Sequence, residues 1–153
     1  MDCISLGKLV AMIKTIIAVT LILISHGVYA DSWLSVGGGT VHFCQSCAYN
    51  DFNPGLGIQK DYSDDLRLIG GVYYNSFYKA TFYGGGAYQP IQYGLIRVGL
   101  IGGIVTNYNN LSVPVMVLPV VSVEGEQVGI DILGGPSIGN KTGLVTVNLK
   151  YKL

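Results

Sequence analysis

The sequence predicts an all-β protein, an eight-stranded antiparallel transmembrane β-barrel, on three observations. Half of the residues are hydrophobic and only 12% are charged, yet beyond the leader no run reaches the roughly 18 apolar positions of a membrane helix. The clearest patterns repeat every second residue, the signature of strands with one apolar and one polar face. Turn signals cut the chain into eight such segments, and eight is the smallest strand count of an outer-membrane barrel.

The chain has 153 residues, enough for one domain. Its opening reads as an export signal. Lys8 and Lys14 precede an apolar core from Ile16 to Ile24, and Val28-Tyr29-Ala30 offers a cleavage site before Asp31. A core this short would not cross about 30 Å of hydrocarbon, and no stop-transfer charge cluster follows it. Residues 1–30 are therefore expected to be removed, with the start at Met1 or Met12, leaving residues 31–153 as the barrel. The expected location is the outer membrane of a Gram-negative bacterium.

The expected strands cover about 33–44, 54–62, 66–75, 77–89, 94–107, 113–123, 126–134 and 144–153. The first changes phase at Gly37 to Gly39, which requires a bulge or kink. The second begins at Pro54. The third sets Leu66, Leu68, Val72 and Tyr74 against Arg67, Ile69, Gly71, Tyr73 and Asn75. The fourth is aromatic on both faces. The seventh sets Val128, Ile130 and Ile132 against Gln127, Gly129 and Asp131. The eighth alternates strictly, with Val145, Val147, Leu149, Tyr151 and Leu153 opposite Thr146, Asn148, Lys150 and Lys152. Arg67, Asp131 and Lys150 thereby share one face.

With the N-terminus on the periplasmic side, the junctions SDD (63–65), QPIQY (89–93) and EGE (124–126) become inner turns. The mostly longer stretches QSCAYNDFN, NS, NYNNLS and GGPSIGNKTG become outer connections, the asymmetry such barrels show. A secreted β-sandwich or lipocalin-like barrel would also alternate, but with its apolar face inward. The low charge and the tyrosines near segment ends (Tyr62, Tyr73, Tyr74, Tyr88, Tyr108 and Tyr151) fit an interfacial girdle around a membrane barrel better.

Nine basic and nine acidic residues balance, and no basic stripe tracks a phosphate backbone, so nucleic acid is not an expected partner. Cys3 leaves with the signal, and Cys44 with Cys47 reads as a local disulfide or a plain loop pair, since no βαβ context surrounds it. His42 alone does not complete a zinc site with them. No metal or soluble cofactor is implied, and a monomer is expected. A pore is disfavoured because eight strands enclose an interior that side chains just fill.

Five short pieces occur in order: Val41-His42-Phe43 on the first strand, YNDFNPGLGI opening the second, GVYYNS closing the third, GLIGGIVTNY for the fifth and VPVMVLPVVSV for the sixth. In that order, and with eight strands, the mature chain resembles the lipid A palmitoyltransferase family (PagP) of enterobacterial outer membranes. Those barrels move a palmitoyl chain from a phospholipid to lipid A at the outer leaflet. The resemblance implies outer-membrane lipids as partners and puts His42 on the family's catalytic His and Ser76 on its Ser. Asn75 stands where the family has Asp. His42 would act as general base, Ser76 as polar partner or oxyanion donor, and Asn75 as an orienting group without the carboxylate's charge. Read without the resemblance, an outer-strand His is an interfacial polar residue and Asn-Ser an ordinary turn dipeptide.

Prolines bear on lipid access. Pro114 and Pro119 lie in the sixth strand, where a proline cannot donate a ladder hydrogen bond, and the family associates prolines there with lateral admission of lipid. Pro54 marks a second weak seam. Ala87 falls where the family has a glycine at the floor of its acyl pocket, and the added methyl would shorten that pocket. The family's N-terminal amphipathic helix has no counterpart between Asp31 and Trp33. The missing carboxylate and helix favour an alternative: a non-catalytic barrel that modifies or masks the cell surface through its loops.

Overall fold

The period-two segments become eight strands in the computed structural model, which describes residues 31–43, 49–108, 115–135 and 143–153. They are β1 (Ser32–Phe43), β2 (Phe52–Asp61), β3 (Leu66–Tyr74), β4 (Ala80–Tyr93), β5 (Ile96–Val105), β6 (Val115–Glu124), β7 (Val128–Gly135) and β8 (Gly143–Lys152). Residues 1–30, expected to be an export signal, lie outside the described residues, as do Cys44, Cys47 and Pro114. Each strand pairs antiparallel with the next, and β1 pairs with β8, so the sheet closes on itself. Closure removes the edges that would leave backbone groups unpaired in an apolar medium.

The two faces are sorted as the alternation predicts. Leu68, Val72, Ile130, Leu149 and Tyr151 point outward and are exposed, while Arg67, Asp131 and Lys150 are 2%, 5% and 3% exposed. Charges inside and aliphatic side chains outside reverse the arrangement of a lipocalin-like barrel. They suit a wall surrounded by hydrocarbon.

One half of the interior, towards the short 62–65, 94–95 and 125–127 turns, is an ionic layer. Arg67 Nε donates to Asp61, and its Nη1 donates to Glu124 Oε1 at 2.5 Å. Lys150 Nζ reaches Glu124 and Asp131, each at 2.5 Å. Asp131 also accepts from Gln59 Nε2 and Ser122 Oγ, both at 2.6 Å. Trp33 lies beneath this layer's cations, its ring centre 5.3 Å from Lys150 Nζ and 5.8 Å from the Arg67 guanidinium carbon. Ions removed from water cost several kcal/mol each, which only such dense mutual pairing offsets.

The expected phase change in β1 is a register shift between Gly37 and Gly39, which lets Trp33, Ser35, Thr40 and His42 all face inward. QPIQY is not a turn. β4 runs on to Tyr93 with its irregularity between Tyr88 and Ile91 around Pro90, and the chain reverses at Gly94, whose φ of 57° suits glycine. The expected tyrosine girdle is also partly wrong: Tyr62, Tyr74, Tyr88 and Tyr151 are exposed outside, but Tyr73 and Tyr108 line the interior.

Candidate functional site

At the opposite end of the barrel, β1 delivers His42 inward one residue before its end. The side chain is 8% exposed. The chain returns to open β2, and Thr40 N donates to Asp51 O at 2.9 Å, tying the start of β2 against β1. That tie brings the Asp51 carboxylate to the ring: Oδ1 lies 2.7 Å from His42 Nδ1. A carboxylate can only accept, so in the neutral imidazole Nδ1 carries the proton and Nε2 keeps its lone pair. Nε2 lies 2.9 Å from Ser76 Oγ, in position to accept the serine proton.

Ser76 is fixed by its neighbours rather than by a strand. Asn50 N donates to Ser76 O at 3.0 Å, and Asn50 Nδ2 donates to Phe52 O at 2.6 Å. Tyr49 stacks at a tilt on His42, with centroids 4.8 Å apart, and meets Phe77 edge-on at 5.5 Å. Asn50 and Tyr49 therefore couple the β1–β2 connection to the β3–β4 turn, and Asp51, Ser76 and His42 meet where the two touch.

Asn75 does not take the orienting place expected of it. It is fully buried, and its Oδ1 accepts from Phe77 N at 2.9 Å and Lys79 N at 3.0 Å. Its Nδ2 donates to Thr81 Oγ1 at 2.9 Å and Asn107 O at 3.0 Å. The amide is thus spent on shaping the turn, in which Tyr78 adopts a φ of 59°, and on holding the chain after β5. The group that orients His42 is Asp51, which sequence reasoning missed. It lies inside the YNDFNPGLGI motif, and the usable signal was a carboxylate just across one strand connection from a histidine at the end of β1.

Ser76 opens into a cavity of about 130 Å³ inside the barrel. Tyr73, Tyr83, Ile101, Met116 and Leu133 form its apolar wall, and Gln59 with Asp131 of the ionic layer form its floor. Gly57 lets the Tyr83 hydroxyl lie against the β2 backbone, since a Cβ there would collide with it. From Asn75 to Ile69, β3 runs six residues, about 20 Å of strand, or roughly 15 Å of depth at the tilt of such barrels. Ala87 faces inward at 4% exposure but pairs with Arg67, level with the ionic layer, and does not line the cavity.

Pro119 faces outward on β6, paired with Leu100 of β5. The β6–β7 ladder runs only from Val120↔Leu133 to Glu124↔Gly129. Beyond Val120, β6 pairs with β5 alone and β7 with β8 alone among the described residues, so the β6–β7 ladder stops at Pro119, although Gly134 still lies beside it. Pro54 is exposed on β2 beside the β1–β2 register shift, over an outer groove that shares Gly37, Gly55 and Tyr73 with the interior cavity. No group of three or more potential metal ligands occurs among the described residues.

A closed barrel with a charged interior and an apolar exterior belongs to the class of transmembrane β-barrels. The chain is similar in fold to a de novo designed transmembrane β-barrel, at 16% identity over 81% of this chain and 94% of that one, with a TM-score of 0.56. It is likewise similar to the N-terminal β-barrel domain of Pseudomonas aeruginosa OprF, at 14% identity over 80% of this chain and 97% of that one, with a TM-score of 0.50. No protein-family model and no curated protein matches the chain.

Proposed function

We propose that the protein is an outer-membrane acyltransferase that moves an acyl chain from a phospholipid to lipid A. The observation that carries this reading is His42 bridging Asp51 and Ser76 at the mouth of an apolar cavity inside a membrane-type barrel. The ordered resemblance to the lipid A palmitoyltransferase family supports it, and Asp51 supplies the carboxylate that Asn75 lacks.

In this mechanism the acyl chain lies in the cavity with its ester carbonyl at Ser76. Nε2 of His42 takes the Ser76 proton as Oγ bonds to the carbonyl carbon, and Asp51 stabilises the imidazolium. The carbonyl π pair moves to oxygen. Collapse breaks the donor's ester bond, and His42 returns the proton to the leaving lysophospholipid hydroxyl. A lipid A hydroxyl, deprotonated by His42, then attacks the acyl-serine carbonyl; collapse breaks the Ser76 ester bond, and His42 returns the proton to Ser76 Oγ. The β6–β7 ladder ends at Pro119, so a chain entering there from the membrane breaks no β6–β7 ladder bond, and Pro54 marks a second seam.

The test is mass spectrometry of lipid A from cells expressing the wild type, His42→Ala or Ser76→Ala, with insertion checked by heat-modifiable gel mobility. An added acyl mass present only with the wild type supports the reading. Unchanged lipid A from a folded wild-type barrel overturns it and leaves the surface-masking alternative.

A further inference from the structure

The cavity below Ser76 has two unlike walls. Facing the apolar side chains of β3 to β7, strands β1, β2 and β8 contribute Ser35, Thr40, Asn53, Thr146 and Asn148. The hydroxyls of Thr40 and Thr146 lie 2.8 Å apart and satisfy each other. Asn53 is 6% exposed and its Nδ2 donates to Tyr74 O at 2.8 Å, yet its Oδ1 is buried without a partner. Ser35 is also buried, and neither its hydroxyl nor the Asn148 amide hydrogen-bonds to any described residue. These groups cluster around Gly37. Asn148 is its register partner on β8, Ser35 lies two positions along β1 on the same face, and a Cβ on Gly37 would come within 3.2 Å of Asn53 O and 3.3 Å of Asn148 Oδ1. Glycine there keeps the Asn148 amide uncovered. Elsewhere inside the barrel polar side chains are used up: Asn75, Gln89, Ser122 and Asp131 are all hydrogen-bonded.

We infer that the wall around Gly37 is a hydrogen-bonding subsite for a hydroxyl group on the acyl chain, so that the chain transferred is a hydroxylated one; this deepens, and rests on, the acyl-transfer reading above. Water can serve these groups while the cavity holds no lipid, but a chain that fills it displaces that water and must replace its hydrogen bonds. A plain hydrocarbon chain replaces none, leaving a hydroxyl and two amides buried and unpaired at a cost for each. An alcohol serves both needs of the wall. Its O–H donates to Asn53 Oδ1, which can only accept, and its oxygen accepts from Ser35 Oγ or Asn148 Nδ2. A ketone oxygen could do only the second. From His42, which touches Ser76, down β1 to Gly37 and Ser35 is roughly 10–15 Å of barrel depth by strand rise and tilt. The hydroxyl therefore belongs in the middle of a long chain rather than beside its ester.

The experiment is an internal competition. The full chain, refolded in detergent, is given lipid A and an equimolar mixture of diricinoleoyl and dioleoyl phosphatidylcholine, whose chains differ only in a mid-chain hydroxyl. Mass spectrometry of the lipid A formed counts which chain is transferred, which is a ratio of kcat/KM values. The wild type is expected to favour the hydroxylated chain about tenfold or more, the effect of pairing groups that are otherwise orphaned. Ser35→Ala/Asn148→Leu, which makes the wall apolar, is expected to remove most of that preference with heat-modifiable mobility unchanged. Equal transfer of the two chains by the wild type, or a preference for oleoyl, overturns the subsite while leaving acyl transfer standing. A preference that survives in the folded double variant overturns its assignment to this wall. A folded wild type that transfers neither chain overturns both readings.

Discussion

His42 Nδ1 and Asp51 Oδ1 are 2.7 Å apart although the two residues are nine positions apart in the chain. The pairing follows from the antiparallel return of β2 against β1 and fixes which ring nitrogen is basic. Asp51→Asn could place an amide N–H against Nδ1, forcing the proton onto Nε2 and removing the base. In a buried triad that exchange costs about 10⁴ in kcat. Here the Asp51 side chain is 71% exposed, and solvent screening weakens its charge, so a fall of roughly 10² is expected. Steady-state rates at saturating phospholipid check it, and a wild-type kcat in Asp51→Asn would remove Asp51 from the mechanism.

Introducing a carboxylate at position 75 is expected to harm the protein. Asn75→Asp would turn both Nδ2 donors into acceptors facing Thr81 Oγ1 and Asn107 O, in a site with no solvent exposure. The loss is about 2–4 kcal/mol of stability, with no gain in rate. Urea unfolding in lipid vesicles, followed by gel mobility, measures it. Increased activity with undiminished stability would reverse the roles of Asn75 and Asp51.

The strands were legible in the sequence because in a membrane barrel alternation is enforced by two opposite environments. Arg67, Asp131 and Lys150 could be assigned to one face from parity alone, and the β1 phase change at Gly37 to Gly39 announced its own bulge. QPIQY misled because Pro90 looks like a turn residue, whereas β4 accommodates it at an irregularity and continues. The site was half legible. His42 and Ser76 lie within hydrogen-bond reach of each other, but Asp51 lies in a connection, where no periodicity reports direction and partners are set by which loops touch. Tyr73 carried two readings: parity put it on the Arg67 face, where it lies, while its place near a strand end suggested the girdle, because aromatic residues there suit a membrane interface and a cavity wall equally well.

Chain-length preference is expected to follow Ile101 rather than Ala87. Ile101 lines the cavity, whereas Ala87, its register partner on β4, sits level with Arg67 outside it. Ala87→Gly should therefore leave the distribution of transferred chains unchanged, while Ile101→Ala should shift it towards longer ones at a stability cost of about 2–4 kcal/mol. Mass spectrometry of lipid A formed from a mixture of donor chain lengths reads both. A shift with Ala87→Gly alone would mean that the acyl chain penetrates the ionic layer.

The end of the β6–β7 ladder at Pro119 makes the most direct test of lateral access. Their register ends at Val120↔Leu133, so the next residues outward are Pro119 and Gly134, and a Cβ at Gly134 would lie 3.8 Å from Pro119 Cγ. Cysteines at both positions are close enough for a disulfide to form with modest adjustment. The oxidised Pro119→Cys/Gly134→Cys protein should fold as the wild type but lose acyl transfer from bilayer phospholipid by more than about tenfold, since a covalent bar spans the route through which a chain must slide. Reduction should restore the rate. The matched control is Val121→Cys/Ile132→Cys, a pair already held in the intact ladder, whose oxidation should change little. Equal rates for the oxidised and reduced seam protein would exclude this seam as the route. The β1–β2 irregularity beside Pro54, where the outer groove and the interior cavity share a wall, would then be the place to set the next crosslink.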